Sequence, residues 1–208
     1  MKFTKPLDGI LNTEVKTRIL RFFCKTGADW NGSQIAKEIG VTPAAAHTAL
    51  RALQAEGVLA LRNMGKTHVY SLRENSFLVS NLLKPLFEKE DKIRDTIINL
   101  IKRNVLSSGA KKDITSVALF GSVNVRRERS TSDIDLVVIV ENVSARAVAE
   151  RLFEKLNQRI AKEFGNTLSP YVNTRSEFKA KYKKGLAVVK NILKHHNLIY
   201  GDRLERLL

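Results

Sequence analysis

Two aspartates, Asp133 and Asp135, stand two residues apart inside an apolar run, and Gly121-Ser122 closes another apolar run just upstream, in VALFGSVNVRRERSTSDIDLVVIV. Side chains two apart on a strand point to the same face, so both carboxylates should project together. Paired carboxylates offer the hard oxygen ligands that Mg²⁺ takes, and the ion completes its shell with water and substrate phosphates. Mn²⁺ would suit the same donors. A glycine after a strand lets the backbone approach a ligand, and a helix starting at Ser122 would turn free N–H groups toward an anion. The expected arrangement puts phosphate on the Gly-Ser side and metal on the Asp side. Acids are disfavoured within strands, which sets this pair apart from a solvated D-x-D on a surface turn. Arg126, Arg127 and Arg129 lie between the two motifs, where they would either grip phosphates or line a solvated loop.

The order of an apolar residue, Gly121-Ser122, ten intervening residues and Asp133-Ile134-Asp135 resembles the signature of the polymerase-beta-like nucleotidyltransferase superfamily, in particular its small, minimal members. The resemblance covers about Lys111 to Gly201. It implies that Gly121 and Ser122 hold a nucleoside triphosphate; by their position between the motifs Arg126 and Arg127 are the candidates to contact it, against a solvated loop. It also implies that Asp133 and Asp135 bind the divalent metal and carry catalysis. That family places a third acid on a following strand. The matching strand here should be Thr167 to Asn173, TLSPYVN, which has no carboxylate; Glu141, Glu163 and Glu177 are the acids around it. Two readings stay open. One is an Mg²⁺-dependent enzyme moving a nucleotidyl group from NTP to a hydroxyl of a protein, a tRNA or a small molecule. The other is a transcription regulator whose nucleotidyltransferase-like part senses nucleotide or is inactive.

These residues need elements to position them. After the Asp strand, Ser144 is expected to cap an amphipathic helix to about Phe164, with Ala147, Val148, Leu152, Leu156 and Ile160 inward. The TLSPYVN strand follows, and Thr174 to Glu177 opens another helix in a capping pattern. Strand, helix, strand, helix, strand reads as a small mixed sheet backed by helices. Lys179, Lys181, Lys183 and Lys184 read as a solvated helix face, and adjacent His195-His196 diverge on a helix rather than forming a ligand pair.

Upstream, Thr13 to Lys25 carries apolar residues at helical spacing, Ser33 is expected to cap a short helix Gln34 to Ile39, and Thr42-Pro43 starts a third helix to Glu56. That third helix turns Ala46, Leu50 and Leu53 inward and His47, Thr48 and Arg51 outward. Val58 to Arg62 and Thr67 to Leu72 alternate around Asn63-Met64-Gly65-Lys66 and read as a hairpin with a basic tip. The run SQIAKEIGVTPAAAHTALRALQAEGVLALRNMGKTHVYSL resembles winged helix-turn-helix domains. The resemblance implies that Pro43, Ala44, His47, Thr48 and Arg51 meet duplex DNA, with Arg62, Lys66 and His68 on the wing. Such a fold also serves protein contact alone. Phe77 to Ser107 is helical in pattern, with a break near Pro85, and would join the domains or pair two copies of the chain. The expected fold class is α+β: a winged helix-turn-helix over 1–76, a helical connector over 77–110 and a small mixed-sheet nucleotidyltransferase-like domain over 111–208.

Composition agrees with polyanionic partners. The 208 residues carry a formal charge of +15 and a pI near 10.1, a field that attracts nucleic acid. The excess is +5 over residues 1–76 and +10 over 77–208, so it does not by itself locate a DNA site. At 43% hydrophobic and 27% charged residues, disorder is not expected. No apolar run approaches the ~20 residues of a membrane span, and MKFTKPLDGILN lacks a signal core, so a cytoplasmic location without membrane contact is the expectation. The one cysteine, Cys24, sits in an apolar helical pattern and reads as a buried structural thiol.

Overall fold

The computed structural model describes residues 3–65, 67–124 and 132–208. The chain forms two compact units, Met1–Ile93 and Arg94–Leu208, and the stretch 77–110 is divided between them.

The first unit runs α1 (Glu14–Thr26), β1 (Trp30–Asn31), α2 (Gly32–Ile39), α3 (Pro43–Ala55), β2 (Leu59–Met64) and β3 (Thr67–Leu72), with strand order β1-β3-β2. Three helices followed by an antiparallel hairpin make a winged helix-turn-helix. Thr13 caps α1 and Thr42 caps α3, with Pro43 in its first turn where no N–H is needed. The cap of α2 is Asn31, not Ser33. Its side chain accepts from Gln34 N at 2.9 Å and Gln34 Oε1 accepts from Asn31 N at 3.2 Å, a reciprocal box that starts the helix earlier. The strand β1 was not expected: two residues suffice because Trp30 pairs with Tyr70 and Asn31 with Val69. Trp30 meets Phe22 edge-on at 5.0 Å, which pins its loop to the core. Cys24 is half-buried, and burial pushes its thiol up to about 11. An unionised thiol is inert.

The helix α4 (Lys84–Asp91) belongs to this unit. The break falls at Lys92 rather than near Pro85, because Pro85 occupies the first turn of α4 and the residues before it, Val79–Leu83, form a π-helical turn. Leu78, Val79, Leu83 and Phe87 are buried in the winged-helix core. Arg21 donates to both Glu90 oxygens, at 2.6 and 2.8 Å, and lies over the Phe87 ring. The pair is part-exposed, so its contribution is roughly 1 kcal/mol or less. Burial of Leu83 and Phe87, each about 1.5–3 kcal/mol, outweighs it and fastens α4 to the core.

The second unit runs α5 (Ile93–Ser107), β4 (Ile114–Leu119), α6 (Gly121–Asn124), β5 (Ile134–Val140), α7 (Val143–Phe164), β6 (Leu168–Thr174), α8 (Arg175–Lys183), α9 (Ala187–Lys194) and β7 (Asn197–Gly201). Its sheet has the order β6-β5-β4-β7, with β5 and β6 parallel and the other pairs antiparallel. The fourth strand, β7, lies outside the strand-helix-strand-helix-strand pattern read from sequence. Alternation splits the sheet into two faces. Ile134, Leu136, Val138 and Val140 pack with α5 and α7, while Ala118, Val137 and Ile139 pack with Phe178, Val189 and Ile192 of α8 and α9.

The inward stripe of α7 is corrected. Ala145, Ala149, Phe153, Leu156 and Ile160 are buried, whereas Ala147 and Val148 are exposed and Leu152 only half-buried. Placing the large Phe153 ring against the sheet rotates the helix, and the i, i+4 spacing carries that choice along its length. Its cap is Asn142, whose side chain accepts from Ala145 N at 2.9 Å, two residues before Ser144. No described helix is long and apolar enough to cross a membrane.

Candidate nucleotide site and nucleic-acid interface

The strands β4 and β5 pair as Leu119↔Leu136 and Ala118↔Val137, and Phe120 N donates to Asp135 O at 3.0 Å. That register brings the chain's turn at Gly121 level with Asp135. Gly121 has φ +75, the left-handed region that favours glycine. A Cβ there would fall 2.0 Å from Asp135 Oδ2. The aspartate carboxylate therefore lies directly over the bare glycine, and the Gly-Ser turn and the D-x-D strand meet in one place. Ser122 is half-exposed in α6, and its hydroxyl has no hydrogen-bond partner among the described residues.

Asp133 is exposed and Asp135 half-buried. Burial, and then the negative charge of Asp133, push the Asp135 carboxyl above its ordinary value. Both causes penalise its ionised form, and a cation between the two acids would remove that penalty. Asp135 shares a sheet face with Val137 and Ile139, so the acids open on the side of α8 and α9.

The partner of Asp135 on β6 is Ser169, followed on the same face by Tyr171 and Asn173. None is an acid. The three nearby glutamates are placed elsewhere. Glu177 accepts from Thr174 N at 3.0 Å as the α8 cap and pairs with Arg146; Glu163 pairs with Arg159 at 2.8 Å; Glu141 accepts from Thr115 Oγ1 at 3.3 Å beyond the far end of β5. Among the described residues no group of three or more His, Cys, Asp or Glu is placed to hold a metal ion, which leaves the two aspartates as a pair. His196 is engaged with Ile192 O at 3.1 Å and Glu205 at 3.7 Å. Arg126, Arg127 and Arg129 lie outside the described residues.

Two residues missed in the sequence support the turn. Arg94 Nη2 donates to Asn124 Oδ1 at 3.0 Å, and Asn124 Nδ2 donates to His195 O at 3.0 Å. Asn124 thus ties the short α6 to the start of α5 and the end of α9. Separations of 30 and 71 residues leave no periodic signal, so only the folded contacts reveal the tie.

In the first unit, Pro43, Ala44, His47, Thr48 and Arg51 are all exposed along α3, while Ala46, Ala49, Leu50 and Leu53 face the core. Thr48 Oγ1 donates to Ala44 O at 3.0 Å. Arg62 and His68 are exposed on the hairpin; His68 Nδ1 meets Asn63 Oδ1 at 2.8 Å, and Arg62 lies 3.8 Å from Asp29. A cleft of about 590 Å³ lined by Asn31, Ser33, Pro43, His47, Thr67 and His68 brings the helix and hairpin residues together. Lys66 lies outside the described residues. The hairpin turn is shorter than expected, because β2 continues through Met64.

Comparison of the sequence with curated proteins gives no match. Three solved structures resemble parts of the chain. The crystal structure of a possible transcriptional regulatory protein fragment from Mycobacterium bovis is 20% identical, covering 41% of this chain and 88% of that one at a TM-score of 0.35. The solution structure of the homodimeric winged helix-turn-helix DNA-binding domain of a possible ArsR-family regulator, also from Mycobacterium bovis, is 19% identical, covering 42% and 78% at 0.35. The crystal structure of a toxin-antitoxin with AMP-PNP is 17% identical, covering 54% and 77% at 0.32. Residues 95–203, which contain the Gly121-Ser122 turn, both aspartates and Asn124 with its partner His195, match the family described as Polymerase beta, Nucleotidyltransferase, and the chain belongs to that family.

Proposed function

We propose that the chain is an Mg²⁺-dependent nucleotidyltransferase, moving a nucleotidyl group from NTP to a hydroxyl acceptor, joined to a winged helix that binds duplex DNA. The observation that carries the reading is the contact of the Asp135 carboxylate with bare Gly121, which brings the Gly-Ser turn and the two acids to one place. The residues fit the metal: two hard oxygen donors whose mutual repulsion a cation would relieve, with the remaining positions open to water and phosphate. Asp133 and Asp135 would hold Mg²⁺, and Mn²⁺ would satisfy the same donors. When bound, the ion supplies neutralisation of charge developing on the phosphates. Gly121 lets the backbone approach the triphosphate, Ser122 offers a hydroxyl donor, and Arg126 and Arg127 supply guanidinium contacts. The acceptor oxygen bonds the α-phosphorus, the bond to the bridging oxygen breaks, pyrophosphate leaves and the acceptor proton passes to water.

The test is incubation with α-labelled NTPs, Mg²⁺ and candidate acceptors. Label should pass to one acceptor, stop on chelation and be lost in Asp133→Ala. A second reading, nucleotide sensing without transfer, is favoured by the lack of an acid opposite Asp135 on β6. Magnesium-dependent nucleotide binding with no transfer to any acceptor class would select it.

For DNA, exposed Arg51 and Arg62 on the helix and hairpin support contact with the duplex. The double variant Arg51→Ala/Arg62→Ala should weaken duplex binding about ten- to a hundredfold and reduce the slope of log K against log salt by roughly 2, near 0.9 per phosphate contact. Unchanged affinity and slope would remove this face from the interface.

A further inference from the structure

Among the described residues three buried side-chain N–H groups find no acceptor: Trp30 Nε1, Arg94 Nε and Arg146 Nε. They differ in charge balance. Trp30 is neutral, and Arg146 pairs through Nη2 with the Glu177 carboxylate. Arg94, half-buried at the start of α5, pairs with no described carboxylate; the acids just before it in the chain, Glu90 and Asp91, are held by Arg21 and Lys25. Its one described hydrogen-bond acceptor is the neutral Asn124 Oδ1, at 3.0 Å. A guanidinium does not shed its proton, and a desolvated charge without a counter-ion costs folding free energy. The position calls for an anion.

Asn124 fixes where that charge stands. Its Nδ2 donates to His195 O at 3.0 Å, so Oδ1 has to face Arg94; a flipped amide would set its NH₂ against the guanidinium and its oxygen against a carbonyl. His195 caps α9 two residues before Asn197, which pairs on β4 with Leu119, itself two residues before Gly121. The amide is therefore anchored at the Gly-Ser end of the sheet. Asn124 is also the last residue of α6, one turn, about 5 Å along the axis, from Gly121 and the Asp135 carboxylate that lies over it. Two acids suited to a cation and one cation lacking an acid thus stand a short way apart, an order of charges that matches a metal-bound phosphate chain.

We propose that Arg94 is the counter-charge of a polyphosphate: its guanidinium takes an oxygen of the β- or γ-phosphoryl group of a nucleotide lodged at Gly121-Ser122, and the site selects its ligand by the length of the phosphate chain. That a nucleotide carries the polyphosphate rests on the nucleotidyltransferase reading; the need of Arg94 for an anion does not.

The test uses the full chain. Sodium pyrophosphate without divalent metal, against chloride of matched ionic strength, should raise the Tm of the wild type and of Arg94→Lys by roughly 2–4 °C and leave Arg94→Gln unmoved. Without added anion, Arg94→Gln should melt no lower than the wild type. Titration with fluorescent tri-, di- and monophosphates of adenosine and guanosine in Mg²⁺ reads the chain length. In Arg94→Gln the preference for triphosphate over monophosphate should shrink about ten- to a hundredfold, the worth of one charge-assisted hydrogen bond, with monophosphate affinity unchanged. Arg103→Gln, exposed on the same helix, should change neither value. Asn124→Ala keeps the charge and removes its anchor; it should lose about two- to tenfold for the triphosphate alone, and it carries the test where Arg94→Gln does not fold. Equal losses in Arg94→Gln and Arg103→Gln mean diffuse charge only and overturn the proposal, as does an Arg94→Gln protein that melts lower yet keeps the pyrophosphate response and the triphosphate preference. A pyrophosphate shift lost in Arg94→Gln, with no nucleotide bound by the wild type, would sink the nucleotidyltransferase reading while sustaining the anion site; nucleotide binding and transfer equal in wild type and Arg94→Gln would do the reverse.

Discussion

Gly121→Ala should lose nucleotide transfer by about a hundredfold or more while the protein remains folded. Two costs meet at this position. The backbone sits at φ +75, where a residue with a Cβ loses roughly 1–2 kcal/mol, and the new methyl would lie 2.0 Å from Asp135 Oδ2. The second cost cannot be absorbed in place. Its cheapest relief is rotation of the short Asp135 side chain, which carries the carboxylate out of the site, and a misplacement of about 1 Å at reacting groups already costs on the order of a hundredfold. Gly165→Ala separates the two effects. That residue has nearly the same backbone, φ +76, but open space where the methyl would go. It should cost the same small loss of stability, read as a few degrees in thermal melting, with transfer intact. Equal activity in the two variants would mean that Asp135 has no role at the turn.

The contrast between these glycines bears on what a sequence can reveal. Short-range order is legible because it is written in spacing: the strand ending at Gly121, the same-face pair Asp133 and Asp135, and the cap Thr42-Pro43 with Ala46, Leu50 and Leu53 behind it. The α+β architecture follows from those local signals. What escaped depends on which neighbour an element finds. The α7 stripe was rotated because Ala147 and Val148 fit helical spacing as well as Ala145 and Ala149 do, and only the docking of Phe153 decides between them. The strand β7 needs the open edge of β4, and the Arg94–Asn124–His195 tie needs three distant elements together.

Asp135→Asn should make the protein more stable at neutral pH and abolish its chemistry. Burial first, and the charge of Asp133 second, raise the Asp135 carboxyl above its ordinary value, so the folded state disfavours the ionised form relative to the unfolded chain. The sign follows. Asp135 favours folding only where the unfolded carboxyl would be protonated, and that contribution is lost as pH rises through the folded value. At pH 7 the charge is therefore a liability, and the neutral amide, of nearly the same shape, removes it. The group is part-exposed and screened, so the gain should stay below about 1 kcal/mol, a rise of roughly 2–4 °C in Tm. The difference between variant and wild type should shrink as pH falls below the carboxylate range. Mg²⁺ offers a second route to the same relief: it should raise the Tm of the wild type and leave that of Asp135→Asn unmoved, since one donor is gone. Transfer should drop by about a thousandfold, the loss of several kcal/mol of charge stabilisation at the phosphates. An Asp135→Asn protein that is less stable, with a Tm still raised by Mg²⁺, would make the carboxylate a structural partner of the turn; a site kept at a cost to folding is what a ligand-binding carboxylate pair requires.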